Sequence, residues 1–126
     1  MTSIIELKDG VKLAYKSTDT GVVITKVADG CPVNLAIPAE IAGRPVVGIG
    51  QEAFSDCASL TAITLPEGIT EISKSAFRGC ASLETINIPT SVIIVGDSAF
   101  ANCPRLKNQT LPATVVNVGK NVFDGD

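Results

Sequence analysis

Phe54, Phe77, Phe100 and Phe123 stand 23 residues apart, and they are all the phenylalanines of the chain. Each follows a small apolar residue: Ala53, Ala76, Ala99 and Val122. Cys57, Cys80 and Cys103 keep the same interval, as do Leu60, Leu83 and Leu106, then Pro66, Pro89 and Pro112. The apolar columns Leu65, Ile88, Leu111 and Ile72, Val95, Val118 complete the register. So many columns in phase mark a tandem array, in which each unit is one supersecondary element and neighbours bury each other's apolar face.

Within one unit, Leu60 to Leu65 ends with the alternation of a strand whose every second side chain faces inward. Pro66 stops it, because proline has no N–H to give to a continuing ladder. Ile69 to Ile72 is a second short extended piece. Gly50, Gly96 and Gly119 sit where it turns, and Ser73 fills that slot in the second unit. The Ala-Phe piece then places one ring beneath the next. Aromatic residues make up only 4% of the chain, with no Trp, so its core must come from Ile, Val, Leu and Ala, which suits many short strands. A single coil buries too little to offset the ordering of its backbone, and stacking supplies both the missing hydrogen bonds and the missing cover. A strand on each side of a coil of about 23 residues predicts a mainly β, right-handed leucine-rich-repeat solenoid.

The frame continues upstream. Leu35-Ala36-Ile37-Pro38 matches Ile63-Thr64-Leu65-Pro66, and Ala42 to Val46 then adds five residues before the pattern resumes at Ile49-Gly50. Residues 32–50 therefore read as a variant entry coil with a bulged loop. Repeats follow at 51–73, 74–96 and 97–119, with a partial unit at 120–126. Ile4 to Leu7, Val11 to Lys16 and Val22 to Val27, around the turn-forming Ser17 to Gly21, read as a small antiparallel sheet. Residues 1–31 are expected to cap the solenoid 32–126 within one continuous domain.

The run from Ile49 to Pro66 closely resembles the BspA-like (Treponema pallidum-type) leucine-rich-repeat family, and Ile37 to Gly50 resembles the usual entry coil of that family. The resemblance spans about residues 32–126. It implies a bacterial surface or secreted protein that adheres to host proteins or to other bacteria. Two features depart from the pattern: no basic segment followed by an apolar stretch opens the chain, and the last unit stops at Asp126, where the next Cys would fall. A protein kept inside the cell and an excerpt of a longer one both stay open.

Little in the chain suggests chemistry. With no His, Ser-His and Cys-His nucleophiles are impossible, and the glycines mark turns rather than a phosphate loop. Glu52 and Asp56 read as solvated turn residues. No enzyme activity, cofactor or metal is expected. The net charge of −3 gives no reason to expect nucleic acid, and no apolar run is long enough for membrane insertion. Cys57, Cys80 and Cys103 share one inward column and read as small buried apolar residues. Parallel side-chain vectors between coils make disulfides among them poor candidates. Cys31, in the loop before the entry coil, is the thiol expected to be reachable. Asn108-Gln109-Thr110 is a formal glycosylation sequon.

Two outward columns are candidate surfaces. On the first strand of each coil lie Ala62, Thr85 and Asn108, and two residues on Thr64, Asn87 and Thr110: a small, polar concave face with Glu84 and Lys107 at its edge. On the second strand, Val47, Thr70, Ile93 and Val116 are equivalent, with Ile94 beside Ile93. Four consecutive apolar residues, Val92 to Val95, cannot all face inward in an extended segment, so this column is a possible interface. At the last coil, Gln109 replaces the inward Ile63 and Ile86, and no polar cap follows Phe123, which predicts docking onto another chain, its own copy in a two-fold homodimer. The expected function is a non-catalytic protein–protein interaction module for a host or bacterial surface protein; the alternative is a self-associating spacer within a larger surface protein.

Overall fold

A computed structural model of the chain describes residues 3–7, 10–28, 30–106 and 111–123. The strands among them are β1 Ser3–Glu6, β2 Lys12–Ser17, β3 Val22–Ala28, β4 Asn34–Ala36, β5 Glu40–Ile41, β6 Arg44–Ile49, β7 Ala62–Thr64, β8 Glu71–Ile72, β9 Thr85–Ile86, β10 Ile94–Val95 and β11 Asn117–Val118. No helix occurs among the described residues.

Two parallel walls follow from the repeat. The first wall is β4-β7-β9, in the register Asn34–Ala62–Thr85 and Leu35–Ile63–Ile86. The second is β6-β8-β10-β11, with Ile49, Ile72, Val95 and Val118 opposite one another. This is a solenoid of leucine-rich-repeat type, as the periodicity requires. Inward residues such as Leu60, Ile63, Ile69, Ile72, Leu83 and Val95 are buried. The rings stack as expected: Phe54–Phe77 and Phe77–Phe100 have centroids 5.3 Å apart and lie within 3° of parallel, and Phe123 continues at 5.4 Å. That spacing is close to the strand separation of about 4.8 Å, so each ring follows the rise of its coil.

A third ladder, which the sequence reading did not anticipate, runs through the Ala-Phe turns. Phe54 N donates to Ala76 O at 2.8 Å, Phe77 N to Ala99 O at 2.8 Å and Phe100 N to Val122 O at 2.7 Å. Glu52, Ser75, Ser98 and Asn121 all adopt φ between 56° and 58°, and Asp56, Gly79 and Asn102 repeat the left-handed state four residues on. In the first of these turns alternate residues donate to the next coil: Glu52 N to Lys74 O, Phe54 N to Ala76 O and Asp56 N to Arg78 O. At the turn that follows the second strand, a Cβ on Gly96 would lie 2.5 Å from Lys74 N, so close backbone approach explains this glycine. Ser73 stands in the same slot one coil earlier.

At the entry coil the extra residues form a hairpin rather than a bulge. β5 pairs antiparallel with β6 across Ala42 (φ 55°) and Gly43 (φ 79°), the two left-handed residues of a tight turn matched to strand twist. Ahead of it, β1-β2-β3 is antiparallel, and β3 then joins β6 in parallel, extending the second wall by three strands. Leu13, Val22 and Ile24 of this sheet are fully buried against the entry coil.

The cysteines require a correction. Cys31 is bonded to Cys57, with Cα atoms 5.5 Å apart, so Cys31 is not a reachable thiol and Cys57 is not a free one. Within the repeats, parallel vectors do disfavour bridging, and Cys80 and Cys103 are free and buried. Cys31 escapes that constraint because it lies in the link from β3, next to Gly30 at φ 93°, where the backbone does not follow the course of a repeat. Cys80 Sγ and Cys103 Sγ instead donate to Phe54 O and Phe77 O, at 3.2 and 3.1 Å.

Candidate binding surfaces

The first wall brings four of its six expected contact residues together. Ala62, Thr64, Thr85 and Asn87 line a shallow depression of about 380 Å³, floored by the backbone of Ile63 and Ile86. The other two, Asn108 and Thr110, lie outside the described residues, as do Lys107 and Gln109. Beside the depression Glu84 meets Arg105 at 3.6 Å, both more than half exposed, an ion pair that water screens. β4 prolongs the surface: the register places Asn34 ahead of Ala62, and Ala36 ahead of Thr64. The sequence reading left both out because the five inserted residues break the 23-residue interval, although matching Leu35 to Ile63 already implied them.

Asn87 is not a simple surface residue. Its Oδ1 accepts from Leu65 N at 2.8 Å, and its Nδ2 donates to Leu65 O at 2.9 Å. β9 ends at Ile86, so the side-chain amide stands in for the next peptide unit and holds the preceding coil. Thr64 and Thr85, exposed on the same surface, have no such duty among the described hydrogen bonds.

On the second wall the run Val92 to Val95 divides. Val92 and Val95 are buried, Ile94 is half-buried, and Ile93 is 42% exposed. Ile93 shares its column with half-buried Val47, with Thr70 and with Val116, which is 73% exposed. Backbone bonds of 2.8–2.9 Å from Thr70 N to Val47 O, Ile93 N to Thr70 O and Val116 N to Ile93 O fix the column. Phe123 is exposed away from this column, stacking on Phe100 and lining a hollow with Asp56, Gly79, Asn102 and Cys103.

Sequence reasoning missed a hollow of about 620 Å³ on the outward face of the second wall, lined by Lys16, Thr25, Gly50, Glu71, Ser73 and Lys74. Gly50 and Ser73 share one column of the repeat, but Lys16 and Thr25 come from the cap strands β2 and β3, which lie outside the 23-residue interval. Among the described residues no three His, Cys, Asp or Glu side chains are grouped to hold a metal, and no helix is long and apolar enough to cross a membrane. The Cys80 thiol is pushed above the ordinary thiol range by its hydrogen bonding with Cys103 and by burial, which removes it as a nucleophile at neutral pH.

Residues 37–126 match the model of the BspA type leucine-rich-repeat region, in six copies. A leucine-rich-repeat protein of Treponema pallidum superposes with a TM-score of 0.83 at 30% identity, over 87% of this chain and 52% of its own. A leucine-rich-repeat protein of Bacteroides ovatus gives 0.80 at 32% identity, over 90% of this chain and 32% of its own. A leucine-rich cell surface protein of Faecalibacterium prausnitzii gives 0.77 at 28% identity, over 94% and 33%. The chain thus spans about half the length of the first and about a third of the other two. No curated protein matches it. With the stacked coils, the phenylalanine column and the matched repeats in agreement, the chain belongs to the BspA-type leucine-rich-repeat family.

Proposed function

We propose that this chain is a non-catalytic recognition module, presented by a bacterial surface-type protein and binding another protein through the first wall. The observation that carries the reading is the depression bordered by half-buried Ala62 and exposed Thr64, Thr85 and Asn87, all small, uncharged side chains on one parallel ladder. Such a surface lacks the Trp, Tyr and Arg that anchor tight interfaces, so it suits weak contacts repeated along the stack. The cell-surface description of the Faecalibacterium protein agrees with display outside the cell. A photo-cross-linking residue at Thr64 or Thr85, offered to intact bacteria and to host epithelial cells, should give discrete protein adducts. The same residue at Glu52, on the turn side, should give none. Equal labelling from all three positions, or from none, defeats the reading.

A second reading rests on the exposure of Ile93 and Val116 in one column: the chain self-associates as a spacer, two copies meeting through the second wall. Light scattering across a concentration series separates the two. A dimer that Ile93→Lys and Val116→Lys convert to monomer supports the spacer; a monomer at every concentration supports the recognition module.

A further inference from the structure

The first and second walls do not end together. Beyond the entry coil the second wall continues through β3, β2 and β1, whereas the first wall stops at β4. Backbone N–H and C=O groups of a strand alternate in direction, so alternate residues bond to opposite neighbours. On β4 the bonds to β7 run through the odd-numbered residues: Ala62 N and Thr61 N donate to Val33 O, and Ile37 N donates to Thr64 O at 2.9 Å. Leu35 shares their parity. Asn34 and Ala36 therefore aim their N–H and C=O groups the other way, where no strand lies among the described residues. Both residues are exposed, as is Val33 before them.

We infer that the outer edge of β4 is a strand-addition site, which takes a short, extended, uncharged peptide segment as the missing first-wall strand. This edge borders the first wall beyond the depression of the proposed function, and its backbone groups are open whether or not the depression binds. The class of partner follows from the chemistry. Two donors and two acceptors spaced along an extended backbone are satisfied by another extended backbone. Val33, Asn34, Leu35 and Ala36 carry no charge and offer none to pair. A second solenoid fits less well than a single segment, because β1 to β3 occupy the flank on which its second wall would have to lie.

The solenoid itself supplies a probe. Within it, Val33, Leu35 and Ile37 bond to the strand positions of Ala62 and Thr64, and by register Asn34 and Ala36 hold those same positions in β4. A blocked peptide copying residues 32–38 should thus add in parallel. The test is backbone amide exchange by NMR on the whole chain. Without peptide, the Asn34 and Ala36 amides should exchange freely while those of Leu35 and Ile37 are protected. With peptide at about ten times its dissociation constant, Asn34 and Ala36 should slow by about tenfold. N-methylation of the peptide at its Leu35 and Ile37 equivalents should abolish the effect, and N-methylation at its Asn34 and Ala36 equivalents should not. Ala36→Pro removes an outward N–H and no ladder bond, so it should stop binding and leave the melting temperature unchanged. The paired N-methyl peptides keep the test decisive if that variant does not fold. The inference is overturned if Asn34 and Ala36 are already protected in the free chain, if millimolar peptide adds no protection, or if both methylated peptides act alike. It is equally overturned if protection grows with protein concentration alone, which would make the occupant a second copy.

Discussion

Asn87→Ala separates a residue that holds the ladder from one that merely decorates it. Asn87 lies on the outward face, where an asparagine invites reading as a contact for a partner. Its amide, however, makes two bonds to the Leu65 peptide, at 2.8 and 2.9 Å, and truncation removes both. A net contribution of about 0.5–1.5 kcal/mol per bond gives a loss of about 1–3 kcal/mol. The upper half of that range applies if Leu65 N–H and C=O are left dry, the lower half if water reaches them through the space the amide vacates. Thr85→Ala, one strand position away on the same face, removes no described hydrogen bond and should cost less than about 0.5 kcal/mol.

The assay is equilibrium unfolding in urea followed by circular dichroism, with both variants beside the parent. At a slope of about 2 kcal/mol per molar, the Asn87→Ala midpoint should fall by about 0.5–1.5 M, and that of Thr85→Ala by less than about 0.3 M. If both stay within about 0.3 M of the parent, the amide clamp contributes nothing and the argument fails. A clamp of the predicted size also means that Asn87 substitutions such as Asn87→Arg cannot report on binding alone. Thr64 and Thr85 are the positions at which lost capture would mean a lost contact.

Phe77, fully buried between Phe54 and Phe100, should cost about 3–5 kcal/mol when truncated to Ala, read in the same unfolding assay. With Cys31 bonded to Cys57 and two buried free thiols, a thiol reagent at pH 8 should label no cysteine in the native chain, two after denaturation and all four after reduction as well. Cys31→Ser with Cys57→Ser opens a loop of 26 residues' separation and should cost about 3–4 kcal/mol by chain entropy, measured against the oxidised parent. Gly96→Ala forces a Cβ to 2.5 Å from Lys74 N and should destabilise strongly in thermal unfolding. At Gly48 an added Cβ meets nothing closer than 3.5 Å, so Gly48→Ala should be neutral or stabilising by up to about 1 kcal/mol.

Whatever repeats was legible in the sequence, because repetition forces one environment on each column. Phe54, Phe77 and Phe100 must lie over one another once the interval is known, and the alternation around Ile63 and Ile86 fixes the first wall. Where the interval breaks, reading residues one at a time failed. The insertion at Ala42 to Val46 could have been bulge or hairpin, and only the left-handed state of both Ala42 and Gly43 decides it. The Cys31–Cys57 bond escaped notice because parallel vectors govern cysteines one repeat apart, and Cys31 is not in a repeat. The turn ladder was hidden for another reason: Glu52, Ser75 and Ser98 share a backbone conformation but no obvious side-chain type, so no residue pattern announces it.

The same contrast explains why the surfaces resist naming a ligand. An inward column such as Leu60, Leu83 and Leu106 is held to one shape by the coils above and below it. An outward column has no such neighbour, and here Ala62 faces Thr85, while Thr64 is followed by an asparagine turned to structural use. An outward column is therefore open to two uses, contact with a partner and support of the ladder, and its residue types do not divide them. Hydrogen-bond geometry can: it gives Asn87 a structural duty that Thr64 and Thr85 do not share among the described bonds, and exposes at Asn34 and Ala36 a backbone array that no side-chain pattern encodes. For a solenoid of this kind, the strands whose partners are missing are as informative about binding as the side chains that protrude.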